Sequence, residues 1–323
     1  MMKSLVAGCM LAFGLHGAAL AQGTSWPDKP IKLVVGFTPG GAADYVGRTV
    51  GDALSRVLGQ PIVIDNKPGA GSSIAADFVA KAPADGYTLL IASPSAISVN
   101  PALDAKWAAG INSLIPVTKV TASPLVIAAN PQTGIKSIGD LIEQAKKNPG
   151  KMNFAHAGMG SAPHLGGVHF NQLAGTQLTP IPFKGGAPSV QSVIAGDTQV
   201  TFATPPSVLP HIKSGRLVGL AVSSPDRSPL VPDLPGMKEA GLGNYRMDFW
   251  YGFFVPTGTS PEIVKKLYDA TMTAMQRPEV KAALAREGTD VSVSSSPVEF
   301  GNYLKDESRF WGKLAKDSGA KAE

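Results

Sequence analysis

The chain has 323 residues, 44% of them hydrophobic, a formal net charge of +5 and a single cysteine. This excludes a scaffold built on disulfides, and it gives no support to a nucleic-acid surface, which needs clustered Lys and Arg. What remains is a chain long enough for two domains, each held by its own apolar core.

Met1-Met2-Lys3 precedes an apolar run over residues 5–20, and Ala19-Leu20-Ala21 stands before Gln22. A charged start, a short apolar stretch and small residues at a cleavage point predict a secretory signal over 1–21, cut after Ala21. The run is too short and too broken by glycine to span a bilayer. Cys9 falls inside it, so the exported chain carries no thiol. No later segment is apolar and long enough to cross a membrane.

From there β-branched runs alternate with helical stretches, the grammar of βαβ units. Residues 31–37 read as a strand, 42–57 as an amphipathic helix, 61–65 as a strand, 73–81 as a helix and 88–92 as a strand. A stretch rich in Gly, Ala and Asn after Asn100-Pro101 reads as a crossover, leading to strands at 117–120 and 125–129. The second half repeats the pattern. Helix 137–148 has Ser137 as N-cap with Asp140 three residues on. Strand 152–156, helix 164–174, strand 178–183, helix 188–195, strand 199–203, helix 208–214 and strand 217–222 follow. The polar stretch 223–235 leads back to a strand at 250–255. Helices at 261–275, 278–287 and 297–317 finish the chain, the first and third with serine at N-cap and proline at N1.

Four loops follow strands, where open α/β sheets place ligands. The first, Phe37-Thr38-Pro39-Gly40-Gly41-Ala42-Ala43-Asp44, points backbone N–H groups out of a helix start, an arrangement suited to an anion. It lacks the Lys-Ser/Thr of a nucleotide loop. The others are Gly69-Ala70-Gly71-Ser72-Ser73, the run from Ala157 through Gly160 and Ser161 to His164, and Phe183-Lys184-Gly185-Gly186-Ala187-Pro188. Ser93-Pro94-Ser95 and Thr204-Pro205-Pro206 sit at further strand ends. Shared between two lobes, these loops predict a cleft lined by amides and hydroxyls. Ser161 and His164 also leave open a secreted α/β hydrolase, although G-x-S-x-G is absent. His164 and His169 are five apart, the wrong spacing for a helical metal pair, so no metal or cofactor is expected. Trp250 and Tyr251 read equally well as cleft wall or core.

In this order the loops, with Trp26-Pro27, Asn66-Lys67-Pro68, Asp85-Gly86-Tyr87, Pro210-His211-Ile212-Lys213 and Trp250-Tyr251-Gly252, make the chain resemble the Bug receptors. These are periplasmic solute-binding proteins of tripartite tricarboxylate transporters. The resemblance implies a two-lobe periplasmic-binding-protein (Venus flytrap) α/β fold, type II-like, each lobe a mostly parallel sheet flanked by helices. Lobe 1 would be 22–122 with 224–323, and lobe 2 would be 123–223.

It also implies a monomeric periplasmic protein that closes on a small organic carboxylate and hands it to membrane permease subunits, or signals to a membrane sensor. Carried over by position, Pro39, Gly40, Gly41, Gly71 and Ser95 belong to the first-lobe site, with Asp44 bracing the opening loop. Gly160, Ser161, His164, Gly185, Gly186 and Thr204 belong to the second. Phe183 stands where the family usually has tyrosine. Thr204 stands where amino-acid binders tend to carry a carboxylate, which points to plain mono-, di-, tri- or aromatic carboxylates.

Overall fold

The protein is described by a computed structural model covering residues 26–317 and 319. The signal-like segment 1–21 and its cleavage point lie outside the described residues.

The first lobe opens with β1 (Ile31–Val35), whose Ile31, Leu33, Val34 and Val35 are fully buried, as a central parallel strand requires. Helix α1 (Ala42–Leu58) follows, with Gly41 as an extended N-cap and Gly59 as a left-handed C-cap. Its Val46, Val50 and Leu54 make one apolar stripe, and Gly47 lets it approach β1 closely: a Cβ there would meet Val35 at 3.2 Å. Strand β2 (Ile62–Asn66), α2 (Ser73–Ala80) and β3 (Thr88–Ala92) complete a βαβαβ unit. After β3 the chain forms a π-helical turn (Ser95–Val99), then α3 (Asn100–Leu103) and α4 (Ala105–Ile111). The sequence reads the part after Asn100-Pro101 as a crossover, without helices. Its helices are too short and too interrupted by Pro101 to show a period.

Strand β4 (Leu114–Pro124) leaves this lobe and β5 (Val126–Ala129) enters the second. There follow α5 (Ile138–Lys147), β6 (Asn153–His156), α6 (Ala162–Ala174), β7 (Thr179–Pro182), α7 (Gly186–Ala195), β8 (Val200–Ala203), α8 (Pro205–Lys213) and β9 (Val218–Val222). Ser137 caps α5 as expected, accepting from the Asp140 N–H. Strand β10 (Asp248–Pro256) returns to the first lobe, and α9 (Pro261–Gln276), α10 (Pro278–Arg286), β11 (Asp290–Val291) and α11 (Pro297–Asp317) close it.

The two sheets run β11-β4-β10-β3-β1-β2 and β7-β6-β8-β5-β9. The two-lobe α/β architecture is as expected, but each sheet is mixed instead of mostly parallel. β10 pairs antiparallel with both β3 and β4, and β5 pairs antiparallel with β8 and β9. The reason is topological: the strands that carry the chain between lobes must run against one another to leave and come back.

The stretch 224–247, expected with the first lobe, packs instead on the second. Val231 and Leu234 join a buried cluster with Val126 and Val222, and the Tyr245 hydroxyl donates to Gly166 O at 3.0 Å.

Candidate functional site

The strands of both sheets end facing one another, and between them lies a cavity of about 20 Å³. That is room for roughly one water, so the lobes are closed around it. Five helix starts surround the space. Gly41, Ala42 and Ala43 come from α1, Ser95 from the π-helical turn, Ser161, Ala162 and Pro163 from α6, Gly186 and Ser189 from α7, and Thr204 and Ser207 from α8. Each helix start presents N–H groups without intrahelical partners and the positive end of its dipole. Among the described residues no Asp, Glu, Lys, Arg or His lines the cavity; Phe37, Phe249 and Tyr251 supply its apolar wall. A neutral pocket with several dipoles converging on it favours an anion without fixing it to a cationic side chain.

Ser95 is only 1% exposed, and its hydroxyl is buried without a hydrogen-bond partner. Such a group costs stability unless something completes it. The other serine and threonine hydroxyls of the lining are engaged. Ser161 Oγ accepts from the His164 N–H at 3.3 Å, Ser189 Oγ donates to Gly186 O at 2.8 Å, and Thr204 and Ser207 share a hydroxyl pair at 3.3 Å.

The remaining expected residues stand behind the wall or at lobe contacts. Asp44 braces the opening loop: it accepts from the Gly40 N–H at 3.0 Å, Arg48 Nε at 2.9 Å and Asn66 Nδ2 at 3.1 Å. Burial raises its pKa, but these hydrogen bonds outweigh burial and hold the carboxyl below its ordinary value. Pro39 and Gly40 lie in that braced loop, outside the cavity wall. Gly160 and Gly185 are where the lobes touch. A Cβ on Gly160 would lie 2.5 Å from Asn100 Oδ1, and one on Gly185 would lie 2.5 Å from Thr38 Oγ1. Gly71 walls a neighbouring chamber, together with Phe183.

His164 sits beneath the loop with His156, their ring centroids 4.6 Å apart. Burial pushes the His164 pKa down to about 4, and burial with the facing His164 pushes His156 down to about 3. Both rings are therefore neutral at pH 7. His164 Nδ1 accepts from the Gly160 N–H at 3.3 Å, while His156 Nδ1 lies 2.9 Å from Gly158 O and so carries the proton. The Ser161–His164 pair is thus a helix cap built from the histidine's backbone, with the imidazole engaged elsewhere.

Sequence reasoning missed Phe37, Phe249, Ser189 and Ser207 as lining residues, and of the pair Trp250 and Tyr251, left open between cleft wall and core, Tyr251 lines the cavity. Strand alternation puts Phe249 and Tyr251 on one face of β10 and Trp250 on the other, against Phe300. Ser207 stands three residues after the helix-starting Thr204, a spacing that offers a signal for it.

The family model described as tripartite tricarboxylate transporter family receptor matches residues 46–320. Protein BugT of Bordetella pertussis is 36% identical over 309 residues, 94% of each chain. Among solved structures, R. palustris Rpa4515 with adipate is similar at a TM-score of 0.87 and 30% identity, covering 92% of this chain and 99% of that one. MatC from Rhodopseudomonas palustris with bound malate has a TM-score of 0.84 and 30% identity, covering 90% of this chain and 100% of that one. With most of its length matched in this way, the chain belongs to the tripartite tricarboxylate transporter receptor family, as a Bug-type periplasmic receptor.

Proposed function

We propose that this protein captures a small organic carboxylate in the interlobe cleft, outside the cytoplasm, and delivers it to the permease subunits of a secondary transporter. The observation that carries this reading is the neutral cavity ringed by helix starts, with the unpartnered Ser95 hydroxyl in its wall. Gly41, Ser95, Ser161, Gly186 and Thr204 are the expected residues that would meet the ligand directly. Pro39, Gly40 and Asp44 would hold the opening loop in shape. Gly71, Gly160 and Gly185 would let the lobes close, and His164 would support the Gly160 turn.

The energetics are sufficient. Hydrogen bonds to a charged group contribute roughly 1.5–3 kcal/mol each, and micromolar affinity needs about 8 kcal/mol. A handful of amide and hydroxyl donors meets this after ordering costs. The lining carries no carboxylate to pair with an ammonium group, so an amino acid would bury an uncompensated charge. Plain carboxylates, of the kind bound by the adipate and malate relatives, suit the lining better. The roles of Ser161 and His164 as capping groups favour binding over hydrolysis.

We place the hinge in β4–β5 and at the start of β10. Residues 22–122 and 123–223 then fall in different lobes, and the return to the first lobe moves from 224 to the start of β10 at Asp248. The periplasm is the working compartment, as the family and the signal-like start imply.

A thermal-shift screen of the protein lacking residues 1–21 tests the reading. Mono-, di-, tri- and aromatic carboxylates should raise the melting temperature in a concentration-dependent way. Stabilisation by amino acids alone, or turnover of an ester or amide that is lost in Ser161→Ala, would contradict it.

A further inference from the structure

Helix α2 packs on the first sheet through the small side chains of Ala75 and Ala76 and through Val79. It turns the larger Ile74 and Phe78, four residues apart on one face, towards solvent, where a surface helix ordinarily carries polar residues. Among the described residues five large apolar side chains are exposed, and three of them gather here: Ile74 at 47%, Phe78 at 39% and Val63 at 51%. A single exposed apolar residue is ordinary, but a contiguous group marks a contact surface. Val63 lies on the edge strand β2, in register with Lys32 of β1. The ammonium groups of Lys67 and Lys32 stand 4.4 Å and 5.8 Å from the centre of the Phe78 ring and join the group into one patch. The patch is basic. Asp65 is shared by Lys32 and Lys67 at 3.6 Å and 3.3 Å, and Asp77 pairs with Lys81 at 2.7 Å. It also reaches the mouth of the cleft. A Cβ on Gly69 would meet Ile74 Cδ1 at 2.7 Å, and Gly69 lines an interlobe chamber together with Lys184 of the second lobe. Lys184 is exposed and makes no ion pair or hydrogen bond among the described residues.

We infer that this apolar, basic face is where the receptor docks on its membrane permease, against an extracytoplasmic segment that sets an apolar side chain between carboxylates. The inference rests on the delivery reading above and deepens it, by naming the surface and the chemistry of its partner. Charge complementarity selects that partner: four lysines stand against two aspartates, both already paired. Opposite charges across such a contact speed encounter and reject wrong partners, while Ile74, Phe78 and Val63 supply the dry centre. The apolar part belongs to the first lobe and Lys184 to the second. Lobe closure brings them to one rim, so the partner meets the whole patch on a closed receptor and only part of it on an open one.

Uptake into phosphatidylethanolamine–phosphatidylglycerol vesicles carrying the permease subunits tests the assignment, with a radiolabelled carboxylate taken from the thermal-shift screen. Phe78→Asp and Ile74→Asp each place a charge in the patch and should slow uptake about tenfold or more. Their affinity for the carboxylate, measured by calorimetry, should stay within about twofold, which also shows that they fold. Lys32→Glu should slow uptake about threefold or more. Phe310→Asp, at an exposed aromatic on α11, should leave it unchanged. Equal uptake by the unaltered protein and the two α2 variants overturns the docking face, and so does an equal loss in Phe310→Asp. Unchanged uptake in Lys32→Glu overturns the acidic character of the partner. Flotation of the receptor with permease-free vesicles as strongly as with loaded ones overturns the permease as occupant, in favour of the lipid surface. Carboxylate binding without any uptake by the unaltered protein overturns the delivery reading and the docking face with it.

Discussion

The Ala42 N–H donates to Ser207 Oγ at 3.1 Å, tying the first turn of α1 in one lobe to the first turn of α8 in the other. This bond crosses the cleft at the cavity wall and occupies a donor at the helix start. In Ser207→Ala the bond is lost, at a cost of about 0.5–1.5 kcal/mol to the closed form. A ligand that binds the closed form should therefore weaken by up to roughly tenfold, and the empty protein should show a larger radius of gyration in X-ray scattering. Affinity and radius both unchanged would mean that the bond does not bias closure.

Ser95→Ala should act with opposite sign on the empty and the occupied protein. Its hydroxyl is buried without a partner, so its removal should leave unfolding free energy unchanged or raise it by up to about 1 kcal/mol. A hydrogen bond to a bound carboxylate is lost at the same time, which corresponds to roughly tenfold to hundredfold weaker binding. Urea unfolding and calorimetry on the same preparation check both halves.

Gly160→Ala should impair closure more than folding. The backbone there has φ +68°, which costs an alanine about 1–2 kcal/mol, and the new Cβ would meet Asn100 Oδ1 of the other lobe at 2.5 Å. The variant should fold and yet bind about tenfold or more weakly. Gly59→Ala makes a control, because it also has a positive φ, but no heavy atom lies within 4 Å of its added Cβ. Equal losses of affinity in the two would remove the closure argument.

Much of this was legible in the sequence because strand–glycine–helix punctuation is local. The loops at Gly40-Gly41, Gly160-Ser161 and Gly185-Gly186 mark where strands end and helices begin, and the ends of the strands gather at the cleft. What is not local could not be read. Which of Trp250 and Tyr251 faces the cleft depends on which side of β10 the other lobe occupies. The mixed sheets depend on pairings between strands distant in sequence, β10 with β3 and β4, and β5 with β8 and β9. Gly71, Gly160 and Gly185 look like ligand loops in one dimension, and only the facing Met159, Asn100 and Thr38 show them to be lobe contacts.

Stability should fall on mild acidification. The folded pKa values of His156 and His164 are lowered to about 3 and about 4, against about 6.5 unfolded. The unfolded chain therefore takes up protons that the folded chain refuses. The stabilisation is complete above about pH 6.5 and is lost as pH falls towards 4, by about 1.4 kcal/mol per pH unit for each ring. Asp44, with its carboxyl held low, adds a further loss only below about pH 4. Urea unfolding between pH 7 and 5 should show the histidine slope, and His164→Gln should reduce it by roughly half, the His156 share remaining. A pH-independent midpoint over that range would contradict the buried neutral pair.

The most direct test of the central claim is calorimetry with one carboxylate ligand and its carboxamide, identical in shape and differing in charge. Converging helix starts in a neutral pocket predict saturable micromolar binding of the acid and at least about a hundredfold loss for the amide. Equal binding of acid and amide, or none of either across the carboxylates screened, would contradict the account.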